Sequence, residues 1–217
     1  MEPYSLDHVA LWVSDRDSLA TFLCERLDVH VIDRTDRYTL VGPSGLAGKL
    51  TLFDAVGGTV LRPSRLVSVT LADEDASREP LQTEDGLLLT FAAHPTAERH
   101  AVIGATFRCD DPAVSAARYV DGFGFEARGV HPNVATLSVG EGTITLVREA
   151  APDVECPLLN HLGLLVQSAQ DHIDEATERG MTILDVVDAP NTYAVFLDGP
   201  DGVRIEFVEH KPEFALT

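Results

Sequence analysis

Several chemically informative residue types are scarce in the sequence, and each shortage excludes a class of protein. Cysteine occurs three times, at Cys24, Cys109 and Cys156, with no Cys-x-x-Cys spacing, so neither a disulfide framework nor a thiolate zinc site is predicted. Lysine and arginine together number 16 against 35 aspartates and glutamates, which gives a formal net charge of −19 at pH 7. A chain this poor in cations, with no basic stripe, is expected to bind neither nucleic acid nor an anionic membrane.

Long apolar runs are also missing. No stretch approaches the roughly 20 apolar residues that span a bilayer, and the N-terminus has no cationic and apolar leader. We therefore expect a soluble, cytoplasmic protein. What remains is ordinary globular composition, with 45% hydrophobic and 24% charged residues over 217 positions, enough for one or two domains with a real core.

A strand, a helix and three further strands recur along the chain. In the first copy, residues 6–13 are rich in β-branched and aromatic side chains and predict a buried strand, and residues 16–27 have the apolar spacing of a helix. The same order returns near the C-terminal end. There, residues 159–166 align with 6–13, and His161 coincides with His8. This alignment indicates an internal repeat.

Two further copies lie between these two. The third has the same order of elements but carries Gly104 at the histidine position. The second keeps two strand-like runs, and the acidic segment between them is too short for a good helix. The sequence thus predicts four modules, the second one degenerate, over residues 1–56, 64–94, 101–150 and 157–212.

Three motifs give the chain a resemblance to a known family. They are the two Leu-x-His-x-x-Leu-x-Val strands, the helix-to-strand passage at 118–126, and the Asp-Gly-Pro-Asp-Gly-Val-Arg-Ile-Glu-Phe segment at 198–207. The sequence resembles the vicinal oxygen chelate superfamily, which contains glyoxalase I, extradiol dioxygenases and bleomycin- and fosfomycin-resistance proteins. The resemblance implies an α+β fold in which tandem βαβββ modules form paired incomplete barrels, with one divalent metal in a cleft.

His8, His161 and Glu206 are the metal ligands that this resemblance implies. Alternate residues of a strand share a face, so His8 and His161 project from equivalent strands among apolar neighbours. Glu206 lies in an otherwise apolar strand, where a carboxylate needs a metal or a charged partner such as Arg37 or Arg204. Two histidines and one carboxylate form the facial arrangement of non-haem Fe(II) oxygenases.

The fourth ligand position of glyoxalase I falls at about Leu52 or Phe53, so a three-ligand site is expected. The corresponding pairs are Gly104 with Leu146 in the third module and Leu66 with Thr90 in the second, which leaves a single site shared by modules 1 and 4. Fe(II) or Mn(II) is favoured, with Zn(II) or Ni(II) as alternatives.

Aromatic side chains near these ligands suggest further roles. Tyr193 is predicted as an acid–base or positioning residue. Trp12 and Phe196 are predicted to line the substrate pocket, although each of these side chains also fits a packed core.

The sequence therefore predicts a metal-dependent enzyme that binds a small substrate through two neighbouring oxygens. Among the possible reactions, dioxygenase chemistry is favoured. Glyoxalase-type isomerase or lyase chemistry is one alternative, and a metal-free protein that sequesters its ligand, as bleomycin-resistance proteins do, is another. A homodimer is compatible with all of these, and an inert partner subunit remains a further option.

Overall fold

The computed structural model describes residues 1–46, 48–58, 65–150 and 157–212. Cys156 lies outside the described residues, while Cys24 and Cys109 are free thiols, the first half-buried and the second buried. No helix in the described part of the chain is long and apolar enough to cross a membrane.

The start of the chain shows how side-chain pattern and capping set the elements. In the first strand, Val9, Leu11 and Val13 alternate onto one face and are completely buried. The helix that follows begins after Asp15, whose carboxylate accepts hydrogen bonds from the backbone N–H groups of Asp17 and Ser18. The strand thus follows from the alternation of buried apolar side chains, and the start of the helix follows from the cap that Asp15 provides.

The elements group into four successive units. The first contains β1 (Ser5–Val13), α1 (Arg16–Arg26), β2 (His30–Arg34), β3 (Thr39–Gly42) and β4 (Lys49–Asp54). The second contains β5 (Leu66–Ala72), β6 (Leu81–Gln82) and β7 (Leu88–Ala92). The third contains β8 (Val102–Cys109), α2 (Pro112–Phe123), β9 (Glu126–His131), β10 (Val134–Val139) and β11 (Gly142–Arg148). The fourth contains β12 (Leu159–Leu165), α3 (Ala169–Glu178), β13 (Ile183–Asp188), β14 (Thr192–Asp198) and β15 (Arg204–His210).

Units pair to form two mixed sheets. The first sheet joins units one and four in the order β13-β14-β15-β12-β1-β4-β3-β2, and the second joins units two and three in the order β6-β7-β5-β8-β11-β10-β9. In each sheet the first strands of the two units lie side by side and antiparallel, so each sheet has an approximate two-fold symmetry. Together the sheets form paired incomplete barrels, which confirms the predicted fold class.

A β-bulge interrupts each of the four central strands at an equivalent place. The register of β1 against β12 skips Asp7 on one strand and Asn160 on the other. The register of β5 against β8 skips Val67 and Ile103 in the same way. A bulge adds one unpaired residue and re-aims the side chains beside it. The residue after each bulge therefore occupies the same structural position in all four units.

The larger of two hydrophobic clusters among the described residues extends across both sheets and the three helices. The ring of Phe207 in β15 stacks on that of Phe123 in α2, with the ring planes 8° apart, and also contacts the ring of His172 in α3. This packing joins the fourth unit, which belongs to the first sheet, to the third unit, which belongs to the second sheet. The two sheets are therefore held together by apolar contacts as well as by the polypeptide chain.

Candidate metal centre

A cavity of about 240 Å³ opens in the concave face of the first sheet. Its walls are mainly apolar and include Leu40, Phe53 and Phe196. At its base, β1, β12 and β15 bring together His8, His161 and Glu206, here called the site triad. All three side chains are buried.

Three donor atoms of the site triad lie almost equally far from one another. His8 Nε2 is 2.9 Å from His161 Nε2 and 3.0 Å from Glu206 Oε2, and His161 Nε2 is 2.9 Å from the same oxygen. Glu206 therefore pairs with the two histidines rather than with Arg37 or Arg204. Among the described residues, this is the group of histidine, cysteine and acidic side chains able to hold a metal ion.

These separations fit a divalent transition metal. Ligand atoms about 2.1 Å from a common centre and at right angles to one another lie about 3.0 Å apart. The donor set of two imidazole nitrogens and one carboxylate oxygen is the facial set that Fe(II) and related ions accept. The residues present thus fit the metal that the resemblance implies.

Each site histidine is held by the side chain of the bulged residue before it. Asp7 Oδ2 lies 2.7 Å from His8 Nδ1, and Asn160 Oδ1 lies 2.9 Å from His161 Nδ1. An acceptor at Nδ1 directs the Nε2 atom of each ring to the common centre. In a regular strand Asp7 and Asn160 would point away from the histidines, so the two bulges are what make these contacts available.

Lys49 and His210 complete a buried polar network behind His8. Lys49 Nζ donates to Asp7 Oδ1 at 2.8 Å and to the Gly45 carbonyl oxygen at 2.8 Å. His210 Nε2 lies 3.1 Å from Asp7 Oδ1. Lys49 and His210 both line the cavity, so the network presents polar side chains to a bound molecule.

The buried charges in the cavity shift one another's pKa values. Burial alone would lower the pKa of His8, but hydrogen bonds and charges from Asp7 and Glu206 outweigh it and raise this pKa to about 9. Burial would raise the pKa of Glu206, but the charge and hydrogen bond of His161, with those of His8, lower it to about 2. Burial lowers the pKa of His161. These charges stabilise an anionic carboxylate between the two imidazoles.

Asp7 also remains ionised. Burial opposes its charge, but the charge of Lys49 and the hydrogen bonds from His210 and His8 hold its pKa well below the usual range. The His8 ring therefore lies between two buried carboxylates, with Asp7 at its Nδ1 atom and Glu206 at its Nε2 atom.

Tyr38 forms another part of the cavity wall. Its hydroxyl donates to Asp33 Oδ2 at 2.8 Å, and its ring lies 6.2 Å from that of Phe53. Burial and the neighbouring Asp33 raise the pKa of Tyr38 to about 12, so its hydroxyl keeps its proton. Tyr38 can position a polar substrate atom as a neutral hydroxyl.

The two predicted pocket aromatics have different positions. Phe196 lines the cavity, and its ring meets that of His161 edge to face at 5.1 Å. Trp12 is not among the residues lining the cavity, which corrects its assignment. It shares a strand face with His8, but four residues of strand place it about 13 Å away. The ring of Phe53, at 5.4 Å, lies against it instead.

Tyr193 is not at the cavity, contrary to its predicted catalytic role. Its hydroxyl donates to Gln170 Oε1 in α3 at 3.2 Å. Thr192 and Phe196 share the cavity face of β14, and strand alternation places Tyr193 on the helix-covered face. Tyr193 therefore points away from a molecule bound at the site triad.

Strand register also corrects the expected fourth ligand position. Ala10 lies opposite Thr51, and Gly163 lies opposite Glu206, so Thr51 is the counterpart of Glu206 in the first unit. The assignment to Leu52 or Phe53 is therefore wrong by one or two residues. Thr51 lines the cavity but offers no carboxylate, so the three-ligand reading of the site is unchanged.

The same positions in the second sheet hold Ser68, Gly104, Thr90 and Thr145. Ser68 and Thr145 replace the expected Leu66 and Leu146, whereas Gly104 and Thr90 agree with the register. None of the four offers an imidazole or a carboxylate. The second sheet thus repeats the geometry of the first without its metal-binding chemistry.

Sequence reasoning missed Asp7, Asn160 and Lys49. A signal for the first two was present, since an acceptor side chain immediately precedes each repeated histidine. Lys49 is one of two lysines in the chain, but its burial beside Asp7 depends on the pairing of β4 with β1.

Solved structures with similar folds include a candidate dioxygenase from Bacillus subtilis and glyoxalase I from Zea mays. The first matches with a TM-score of 0.80 at 15% identity, over 99% of this chain and 87% of that one. The second matches with a TM-score of 0.70 at 16% identity, over 94% of this chain and 92% of that one. At these identities the likeness establishes the fold alone. A search of curated proteins found no match.

The sequence profile of one family agrees with this architecture. It describes the Glyoxalase/Bleomycin resistance protein/Dioxygenase superfamily and matches residues 99–207, half of the chain. The matched region includes the third unit and most of the fourth, with His161 and Glu206 of the site triad. On the strength of this match and of the fold, the chain belongs to the Glyoxalase/Bleomycin resistance protein/Dioxygenase superfamily.

Proposed function

We propose that this protein is a metal-dependent dioxygenase acting on a small substrate that offers two neighbouring oxygens. The observation that carries the proposal is the mutual separation of 2.9–3.0 Å among His8 Nε2, His161 Nε2 and Glu206 Oε2 at the base of an apolar cavity. Three protein ligands leave coordination positions for a substrate and for dioxygen. When bound, an Fe(II) or Mn(II) ion would act as a Lewis acid toward both.

The side chains around the site triad have complementary roles in this proposal. Phe53 and Phe196 form apolar walls that accept a flat ring and exclude water. Tyr38 donates its hydroxyl proton to Asp33, so its oxygen can accept a hydrogen bond from a substrate hydroxyl and orient it. Asp7 and Asn160 keep the two imidazoles in the orientation that metal binding requires.

The ligand set favours dioxygenase over isomerase chemistry. In the first unit, the position equivalent to Glu206 holds Thr51, so the four-ligand arrangement implied for glyoxalase I is incomplete. Two histidines and one carboxylate are the set associated with activation of dioxygen by non-haem iron.

Metal analysis of protein purified anaerobically, without a metal-affinity tag, tests this proposal first. We expect close to one iron or manganese per chain in the wild type, and loss of the metal in His161→Ala and Glu206→Gln. His131→Ala is the matched control, because His131 is exposed and lies on β9 in the other sheet.

Oxygen uptake with catechols added to the loaded protein then tests the reaction class. A wild type that contains no metal and takes up no iron, manganese, zinc or nickel contradicts the enzyme proposal. In that case the apolar cavity supports a binding protein that sequesters a ligand without turnover. Metal without oxygen uptake would instead favour isomerase or lyase chemistry.

A further inference from the structure

Four formally charged residues other than histidine line the cavity, and three of them have close partners there. Asp7 contacts Lys49 at 2.8 Å and His210 at 3.1 Å. Glu206 contacts both site histidines within 3.0 Å. These charges compensate one another within the protein, so they leave little net charge for a ligand. The fourth charged residue is Arg37.

Arg37 forms no ion pair with a carboxylate of the described residues, unlike its neighbours in the fold. Arg34, on the preceding strand, pairs with Asp17, and Arg16 pairs with Asp54. Arg37 is exposed and lines the cavity, which places this residue at the cavity mouth. Arg26, Arg65 and Arg118 also form no ion pair among the described residues, but Arg37 is the arginine that lines the cavity.

The turn that carries Arg37 is fixed by its own hydrogen bonds. Thr35 Oγ1 accepts from the backbone N–H groups of Arg37 and Tyr38, each at 3.1 Å. The Thr35 N–H donates to the Tyr38 carbonyl oxygen at 2.9 Å. Arg37 therefore projects from a closed turn next to Tyr38, whose ring forms part of the cavity wall. A fixed backbone reduces the entropy lost when a side chain binds a ligand.

We infer that Arg37 selects substrates that carry a carboxylate or a similar anionic group at the end remote from the vicinal oxygens. This inference rests on the proposed function, which places those oxygens at the site triad. A guanidinium binds a carboxylate through two parallel hydrogen bonds, and a volume of about 240 Å³ suits a compound with one ring. Repulsion from distant acidic residues is largely screened beyond about 8 Å at physiological ionic strength.

Calorimetric titration of the Mn(II)-loaded protein under argon tests this inference without requiring turnover. The probes are 3,4-dihydroxybenzoate and 3,4-dihydroxybenzamide, which share a ring and two hydroxyls and differ in charge. In the wild type we expect the dissociation constant of the carboxylate to be lower by about tenfold or more. In Arg37→Gln this preference should disappear, because only the carboxylate loses affinity.

Arg34→Gln is the control, since Arg34 is a nearby arginine that does not line the cavity. It should leave both dissociation constants within about twofold of the wild type. Equal affinity for the two probes in the wild type overturns the inference, as does an equal loss of affinity for both in Arg37→Gln.

The same titrations separate this inference from the proposed function. If the amide binds and His161→Ala abolishes its binding, recognition of vicinal oxygens at the triad stands even where the carboxylate brings no advantage. If neither probe binds the loaded wild type, the inference and the proposed function both fail.

Discussion

Gly163 has no side chain, and the His8 imidazole occupies the space that a Cβ atom at position 163 would need. Gly163 lies opposite His8 across the seam between β1 and β12. A Cβ atom at position 163 would lie 2.3 Å from His8 Cε1 and 2.4 Å from His8 Nδ1. The imidazole cannot easily turn aside, because Asp7 and Glu206 hold it from both ends.

Gly163→Ala should therefore displace His8 from the site triad. We expect metal affinity to fall by at least about tenfold and the free energy of unfolding to fall by about 1–3 kcal/mol. Metal titration and urea unfolding measure the two effects. The matched control is Gly122→Ala in α2, where an added Cβ would meet no atom within 4 Å. Full metal affinity in Gly163→Ala would show that the imidazole has room to move.

At the scale of single residues, the sequence predicted the convergence of His8, His161 and Glu206 better than it predicted their surroundings. The matching positions of His8 and His161 were visible because the repeat was visible. Tyr193 was misplaced although strand alternation from Phe196 already put it on the opposite face. Trp12 was misplaced for another reason: alternation gives the face of a side chain but not which neighbour, here Phe53, stands between it and the cavity.

Among the structural elements, the bulges of β1 and β12 have the greatest effect on the site. Each bulge turns the residue before a site histidine toward that histidine, so that Asp7 or Asn160 accepts a hydrogen bond from the ring. No pattern of apolar and polar residues marks these bulges. Their absence from the prediction explains why the acceptors Asp7 and Asn160 were missed.

Asn160→Ala tests the contribution of the β12 bulge. Without the acceptor at its Nδ1 atom, the His161 ring should no longer be held in one orientation. Metal binding should weaken by about 10–100-fold, and the protein should stay folded. Metal titration with circular dichroism as a check of folding measures this. Asn160→Asp keeps an acceptor oxygen and should retain most of the affinity. An Asn160→Ala variant that binds metal like the wild type would assign the orientation of His161 to its packing against Phe196.

For the whole molecule, a buried ionic cluster ties the second sheet to the first unit. Asp73, after β5, contacts Arg78 at 2.9 Å and His100 at 3.0 Å. His100 Nδ1 accepts from the Asp28 N–H, and Arg78 donates to the Arg26 carbonyl at the end of α1. His100 adopts a left-handed backbone, with φ of 63°, which these bonds must stabilise.

Asp73→Asn should lower the free energy of unfolding by about 3 kcal/mol at pH 7, because it leaves Arg78 without its buried carboxylate. A hydrogen bond from the Asp75 N–H, with those of Arg78 and His100, outweighs burial and holds the pKa of Asp73 well below its usual range. A carboxylate with a lowered folded-state pKa stabilises the protein fully above its unfolded pKa of about 3.9, and this stabilisation is lost as the pH falls below that value.

Urea unfolding of wild type and Asp73→Asn at pH 7, 5, 4 and 3 measures this dependence. The difference between the two proteins should be constant from pH 7 to about 5 and should shrink toward pH 3. Glu74→Gln, at an exposed neighbouring position, should stay within about 0.5 kcal/mol of the wild type throughout. A difference that does not change with pH would assign the effect of Asp73→Asn to packing.

The second sheet shows that a repeated architecture does not by itself allow a second metal site to arise. Its four positions equivalent to the site already have the right backbone, so copying ligands into them looks like a short route to a second centre. Gly104 blocks that route, because any Cβ there would lie 2.5 Å from the carbonyl oxygen of Thr143 in the adjacent strand. A histidine at 104 would have to force two paired strands apart. Evolution or design toward a two-centre enzyme would therefore have to rebuild the seam between β8 and β11 before it could place a ligand at position 104.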